Sequence, residues 1–86
     1  MNDDARKRKS ARLVEQWQRA VRAAIQGTRK DRHLSQEDLA ALLGWTRNMI
    51  ANIESGRREI SVAEFIVLAG ALEIAPEVLF RRVLSW

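Results

Sequence analysis

Residues 36–55 read QEDLAALLGWTRNMIANIES, and their spacing divides them into two short helices that meet at Gly44. A second helix can cross a first at a steep angle only if several steric demands are met together. The crossing point needs a small residue, and Ala40 is there. The turn needs a residue without a Cβ, and Gly44 is there. The wedge between the helices needs apolar filling, which Leu39, Leu43, Trp45, Ile50 and Ile53 supply. Because each position answers a different demand, the pattern is far more specific than a lone amphipathic helix.

Working outward, apolar residues recur at helical spacing, and β-branched residues never alternate over a useful length. Leu13, Trp17, Ala20, Val21, Ala24 and Ile25 form one stripe, which predicts a first helix from about Ser10 to Asp31, with a possible start as early as Asp3. Later helix starts share a capping position flanked by an apolar pair. Ser35 lies between Leu34 and Leu39, Thr46 between Trp45 and Ile50, and Ser61 between Ile60 and Phe65, with Glu64 completing a capping box. Pro76 opens the last helix, stapled by Ile74 and Leu79. Helices are thus expected near 36–43, 47–55, 62–72 and 76–85, with Gly44 and Gly56 as natural stops. The expected division is a basic arm or helix extension over 1–9 and one folded domain over 10–86.

The chain has 86 residues, 47% hydrophobic and 30% charged, which suits one globular domain. Without Cys there is no disulfide framework, thiolate metal site or cysteine nucleophile, and the lone His33 cannot build a metal site. No apolar run reaches the length of a membrane span, and no apolar stretch follows the basic N-terminus as a secretory signal would require. A soluble cytoplasmic protein is expected, with no metal, no cofactor, no small-molecule ligand and no enzymatic activity. The net charge of +4 is uneven. Residues 1–32 hold ten Lys or Arg against four acids, whereas residues 33–86 hold five Arg against seven acids. A basic N-terminal third suits a polyanionic partner, although so modest a charge could equally serve solubility.

The stretch from Ile25 to Phe80 resembles the phage-repressor and Cro type, or XRE type, of helix-turn-helix DNA-binding proteins. The resemblance is carried by Leu34, Ser35, Gln36, Leu39, Ala40, Gly44, Ile53, Glu54, Gly56, Ala69 and Leu72. It implies an all-α, compact five-helix lambda-repressor-like domain, here with an extended first helix. It also implies that the third helix docks in the major groove of double-stranded DNA while the second crosses the backbone. The expected function is that of a sequence-specific transcriptional regulator in a bacterial or phage-like setting, a repressor acting as a homodimer on a palindromic operator. Antitoxins and controller proteins are variants of this job, and a protein-interaction adaptor on the same fold is the alternative.

The residues themselves agree with that docking. With Ile50 and Ile53 facing inward, Arg47, Asn48, Ala51, Asn52 and Ser55 fall on the opposite face, which carries no acid. Arg can pair bidentately with guanine and Asn with adenine, while a small Ala allows close approach to a base edge. Arg47, Asn48, Ala51 and Asn52 are therefore the candidate base readers, with Gln36, Thr46, Arg57 and Arg58 as candidate phosphate contacts. The resemblance pairs Arg29 with Glu54 in a salt bridge between the first and third helices. Met49 and Trp45 are read as packing residues and His33 as an exposed loop residue. Leu79, Val83, Leu84 and Trp86 are more apolar surface than a last short helix is expected to bury, and are read as a dimer interface.

Overall fold

The computed structural model describes residues 3–85. Its five helices are α1 (Asp3–Asp31), α2 (Gln36–Leu43), α3 (Arg47–Ser55), α4 (Val62–Ala71) and α5 (Pro76–Leu84). No strand occurs among the described residues. Three of the four short helices start where a side-chain cap dictates, and α5 starts at Pro76 without one. Ser35, Thr46 and Ser61 are extended at the N-cap, and their hydroxyls accept from the backbone amides of Asp38, Met49 and Glu64. Ser35 and Ser61 both close capping boxes, because Asp38 and Glu64 accept in return from the cap amides. The box at Ser35 uses Asp in the position where Glu or Gln is the usual signal.

α2 and α3 are joined through Gly44 at φ 69°, in the left-handed region that Gly enters without a Cβ penalty. Its amide returns to the carbonyls of Ala40 and Ala41, and the Trp45 amide donates to Ala40 at 2.9 Å. Those bonds satisfy the end of α2 and fix the exit direction of the chain.

All five helices meet in one core. Ala20, Ala24 and Ile25 of α1, Leu39 and Ala40 of α2, and Ile50 of α3 pack with Leu68, Ala69 and Leu72 of α4 and Leu79 and Val83 of α5. The alanines let α1 and α4 approach their neighbours closely. Polar ties lock the last helix to the first: Arg82 donates through Nη1 to the buried Thr28 hydroxyl at 2.8 Å and lies 3.3 Å from Asp31.

The structure starts α1 at Asp3, the earlier of the two expected starts, and departs from the sequence reading in which residues near the two ends are buried. α1 is a single helix from Asp3, so the basic segment 3–9 is a helix extension. Its apolar stripe outruns the domain it packs on. Burial starts at Ala20, whereas Leu13 and Trp17 are 48% and 46% exposed. The radius of gyration is 14.2 Å, above the ~12 Å expected of a compact chain this long, because half of α1 stands clear of the core. At the C-terminal end, Leu79 and Val83 are core residues, 0% and 2% exposed, because both turn onto α1 and α4. They are not surface that a second molecule can cover, which corrects their reading as interface residues. Leu84 is exposed, and Trp86 lies outside the described residues.

Two glycine substitutions should move stability in opposite directions. Gly44→Ala should cost about 1–2 kcal/mol, because the left-handed conformation is then strained. Gly27 lies inside α1 with nothing near an added Cβ, so Gly27→Ala should stabilise by about 0.5–1 kcal/mol. Urea unfolding followed by circular dichroism measures both.

Candidate nucleic-acid interface

α3 sits on a buried ion pair. Arg29 donates to Glu54 through Nε at 2.7 Å and Nη2 at 2.9 Å, and its Nη1 donates to the Leu34 carbonyl at 2.8 Å. The two side chains are only 9% and 2% exposed. Glu54 also accepts from Gln36 Nε2 at 3.0 Å and Gln26 Nε2 at 3.3 Å. One carboxylate therefore joins α1, α2 and α3. Burial alone, the largest single influence, would raise the Glu54 carboxyl. The hydrogen bonds from Arg29, Gln36 and Gln26 together outweigh it and hold the group below its ordinary value. No buried side-chain nitrogen or oxygen among the described residues lacks a partner.

With Ile50 and Ile53 buried at 1% exposure, α3 turns its other face outward. Arg47 and Asn48 are exposed, and Ala51 and Asn52 are half-buried beside them. Among the described residues Arg47 makes no ion pair, and the side chains of Asn48 and Asn52 make no hydrogen bond. The first turn of α3 contains no acid, so the positive end of its dipole is not offset there. Met49 is half-buried, Trp45 packs against the core, and His33 is exposed in a left-handed turn at φ 57°.

The candidate phosphate contacts separate. Thr46 is exposed and its hydroxyl oxygen caps α3. Arg57 is exposed in the loop after α3 and makes no ion pair among the described residues. Gln36 commits its amide nitrogen to Glu54. Arg58 is held internally: its Nη2 lies 2.6 Å from Glu64, its Nη1 reaches both Glu64 and the Glu59 carbonyl, and its own amide donates to Asn52. Its side-chain bond, followed by the Ser61 amide, holds the Glu64 carboxyl down to about 2 from an ordinary 4.5. Sequence reasoning missed Gln26 as a partner of Glu54 and Glu64 as a partner of Arg58. Only the i,i+3 spacing of Gln26 and Arg29 on one helix face hinted at the first.

A helix-turn-helix family model matches residues 25–79, which takes in most of the core and the whole of α2, α3 and α4. The chain belongs to the helix-turn-helix family. Its members of the XRE type are DNA-binding transcriptional regulators, and this helix-turn-helix protein is one of them. Solved structures of the same fold include the restriction-modification controller protein C.AhdI from Aeromonas hydrophila, 35% identical with a TM-score of 0.67, over 73% of this chain and 96% of that one. The wild-type controller protein C.Esp1396I is 25% identical with a TM-score of 0.76, over 80% and 88%. The clp gene regulator ClgR from Corynebacterium glutamicum, 20% identical with a TM-score of 0.74 over 80% and 73%, shares the fold. No curated protein sequence matches the chain. Among the described residues of this helix-turn-helix protein, no helix is long and apolar enough to cross a membrane.

Removing one partner of the buried pair should be severe. Arg29→Ala strands the Glu54 charge and should cost about 3 kcal/mol or more, whereas replacing both residues with apolar ones of similar volume should recover most of that loss in urea unfolding. Acid should also destabilise the fold. The folded values of Glu54, Asp38 and Glu64 all lie below their ordinary ones, so the unfolded chain binds protons more readily. For Glu64 the stabilisation is present above pH 4.5 and is lost as pH falls toward about 2. Melting temperatures measured across that range should fall, and less steeply for Glu64→Gln.

Proposed function

We propose that this protein is a transcriptional repressor that reads a palindromic operator as a homodimer, with α3 in the major groove. Arg47, Asn48, Ala51 and Asn52 contact base edges, while Thr46 and Arg57 contact phosphates, with Gln36 orienting the end of α2 beside them. The observation that carries this reading is the acid-free outer face of α3, whose Arg and Asn side chains lack partners among the described residues while the inner face is locked through Glu54. A merely solvated helix face would carry Glu and Lys at i,i+4 spacing and need no such anchor. Fixing α3 in advance removes ordering that would otherwise weaken binding. Arg58 has a smaller part, since its charge is already met by Glu64. Control of a restriction-modification system is the favoured variant of the role, because C.AhdI and C.Esp1396I are named as such controllers.

Selection from random DNA should return a sequence with twofold symmetry. On that site Arg47→Ala should lose about 1–3 kcal/mol of discrimination at one base pair in each half. Arg57→Ala should weaken all sequences alike and lower the salt slope by about one for each phosphate that is no longer neutralised. Equal loss on specific and random DNA for Arg47→Ala would remove it from base reading, and binding indifferent to salt would remove the DNA reading altogether.

A further inference from the structure

Most of the chain's free cations lie outside its helix-turn-helix. Residues 36–55 hold one, Arg47, against Glu37, Asp38 and Glu54. The loop after α3 adds Arg57, a second cation with no ion pair among the described residues. Phosphate neutralisation supplies much of the affinity of a DNA-binding protein, and two free cations keep that contribution small. The charge lies instead at the far end of α1, where Arg6, Lys7, Arg8, Lys9 and Arg12 put five cations into seven positions. All five are exposed, and none forms an ion pair among the described residues. Asp3 and Asp4 occupy the first turn, where they offset the helix dipole.

The composition of this extension selects its partner. The apolar residues of 3–12 are Ala5 and Ala11, so it lacks the large apolar anchors that dock a helix in a protein groove or seat it in a lipid surface. At about 100° per residue, positions 6, 7, 8, 9 and 12 surround the helix instead of marking one face. Charge without a face or an anchor fits a dense row of negative groups, and a phosphate backbone is one.

The fold carries this charge past the end of α3. The Arg22 guanidinium lies against Gly56, the cap that closes α3, where an added Cβ would come within 2.9 Å of it. Nearer the tip of α1, Leu13 and Val14 share a recess with Ile60, Ser61 and Val62. The chain leaving α3 thus runs along α1 toward its N-terminus, and residues 6–12 continue beyond it. Arg57 is exposed in that same connection. From Arg22 to Arg6 is about 24 Å along the axis, less than one turn of duplex at ~34 Å.

We infer that residues 6–12 are a second DNA-contacting element, a helical strut that binds the phosphate backbone of the duplex beyond the base pairs under α3. The inference rests on the proposed seating of α3 on duplex DNA and supplies the electrostatic attraction that α2 and α3 lack. The strut continues the phosphate contacts begun by Arg57. Because α1 is one continuous helix, its cations arrive already ordered, and little freedom is lost on binding. Phosphate contacts carry no sequence information, so the strut adds affinity and leaves discrimination to α3.

Equilibrium titrations of the full chain over a range of salt, against two duplexes, test this. One duplex is cut to the base pairs of a single selected α3 site. The other carries the same site with about ten further base pairs on each side, one turn of duplex. The wild type should bind the longer duplex about tenfold more tightly, with a log–log salt slope steeper by about 0.9 for each added phosphate contact. The quadruple variant Arg6→Gln, Lys7→Gln, Arg8→Gln and Lys9→Gln keeps good helix formers. It should bind both duplexes alike and retain the wild-type preference for the site over random DNA of equal length. The control pair Lys30→Gln and Arg81→Gln, which removes exposed charge outside the extension, should retain the gain from length. A quadruple variant that keeps the gain and the steeper slope overturns the inference. So does a control pair that loses as much, since net charge alone then explains the effect. Single-stranded RNA held as tightly as the longer duplex, through the same four residues, overturns the assignment to a duplex. A wild type without site preference, whose salt slope still falls in the quadruple variant, supports the strut while removing base reading by α3. Site preference with no gain from length removes the strut and leaves base reading intact.

Discussion

The carboxylate of Glu54 is the constraint on which the arrangement of the first three helices rests. It takes four hydrogen bonds from three side chains on two other helices. A charge this far from water is tolerable only when its partner and geometry are nearly ideal, so positions of α3 that lengthen these bonds are disfavoured. The buried faces of Ile50 and Ile53 set how closely α3 approaches the core, and the ion pair sets its rotation and slide. Apolar packing alone leaves such motions soft, whereas a bidentate pair is directional.

Most of the helix pattern was legible because it is written locally. Caps, staples and left-handed glycines act within four or five residues, so Ser35, Thr46, Ser61, Gly44 and Gly56 could be placed without tertiary knowledge. The boundaries of the three middle helices fell accordingly within a residue of expectation. What failed to show was whatever depends on distance in space. An apolar stripe reports which face of a helix would like burial, and it says nothing about whether a neighbour reaches that far. Leu13 and Trp17 therefore belong to the stripe and are open, while Leu79 and Val83 read as interface and are closed.

The candidate site was legible in part for the same reason. Which residues of α3 turn outward follows from its period once Ile50 and Ile53 are inward. Which cations are free does not follow, because Arg57 and Arg58 are neighbours of equal charge and differ only in that Glu64 comes within reach of one. The three side chains that converge on Glu54 come from positions 18 to 28 residues away, beyond any local pattern.

Helix α1 has a geometric consequence of its own. The same uninterrupted rod carries Gln26 and Arg29, which hold α3, and the open ridge at Leu13 and Trp17. Trp17 and Arg29 are about 18 Å apart along the axis, and there is no joint between them. Their relative azimuth is a matter of residue count. One residue inserted between them would turn the ridge by about 100° relative to α3, whereas four would carry it nearly back into phase. The rod is in that sense a ruler as well as a support, fixing in whole residues how the outer surface of the molecule is phased against the outward face of α3.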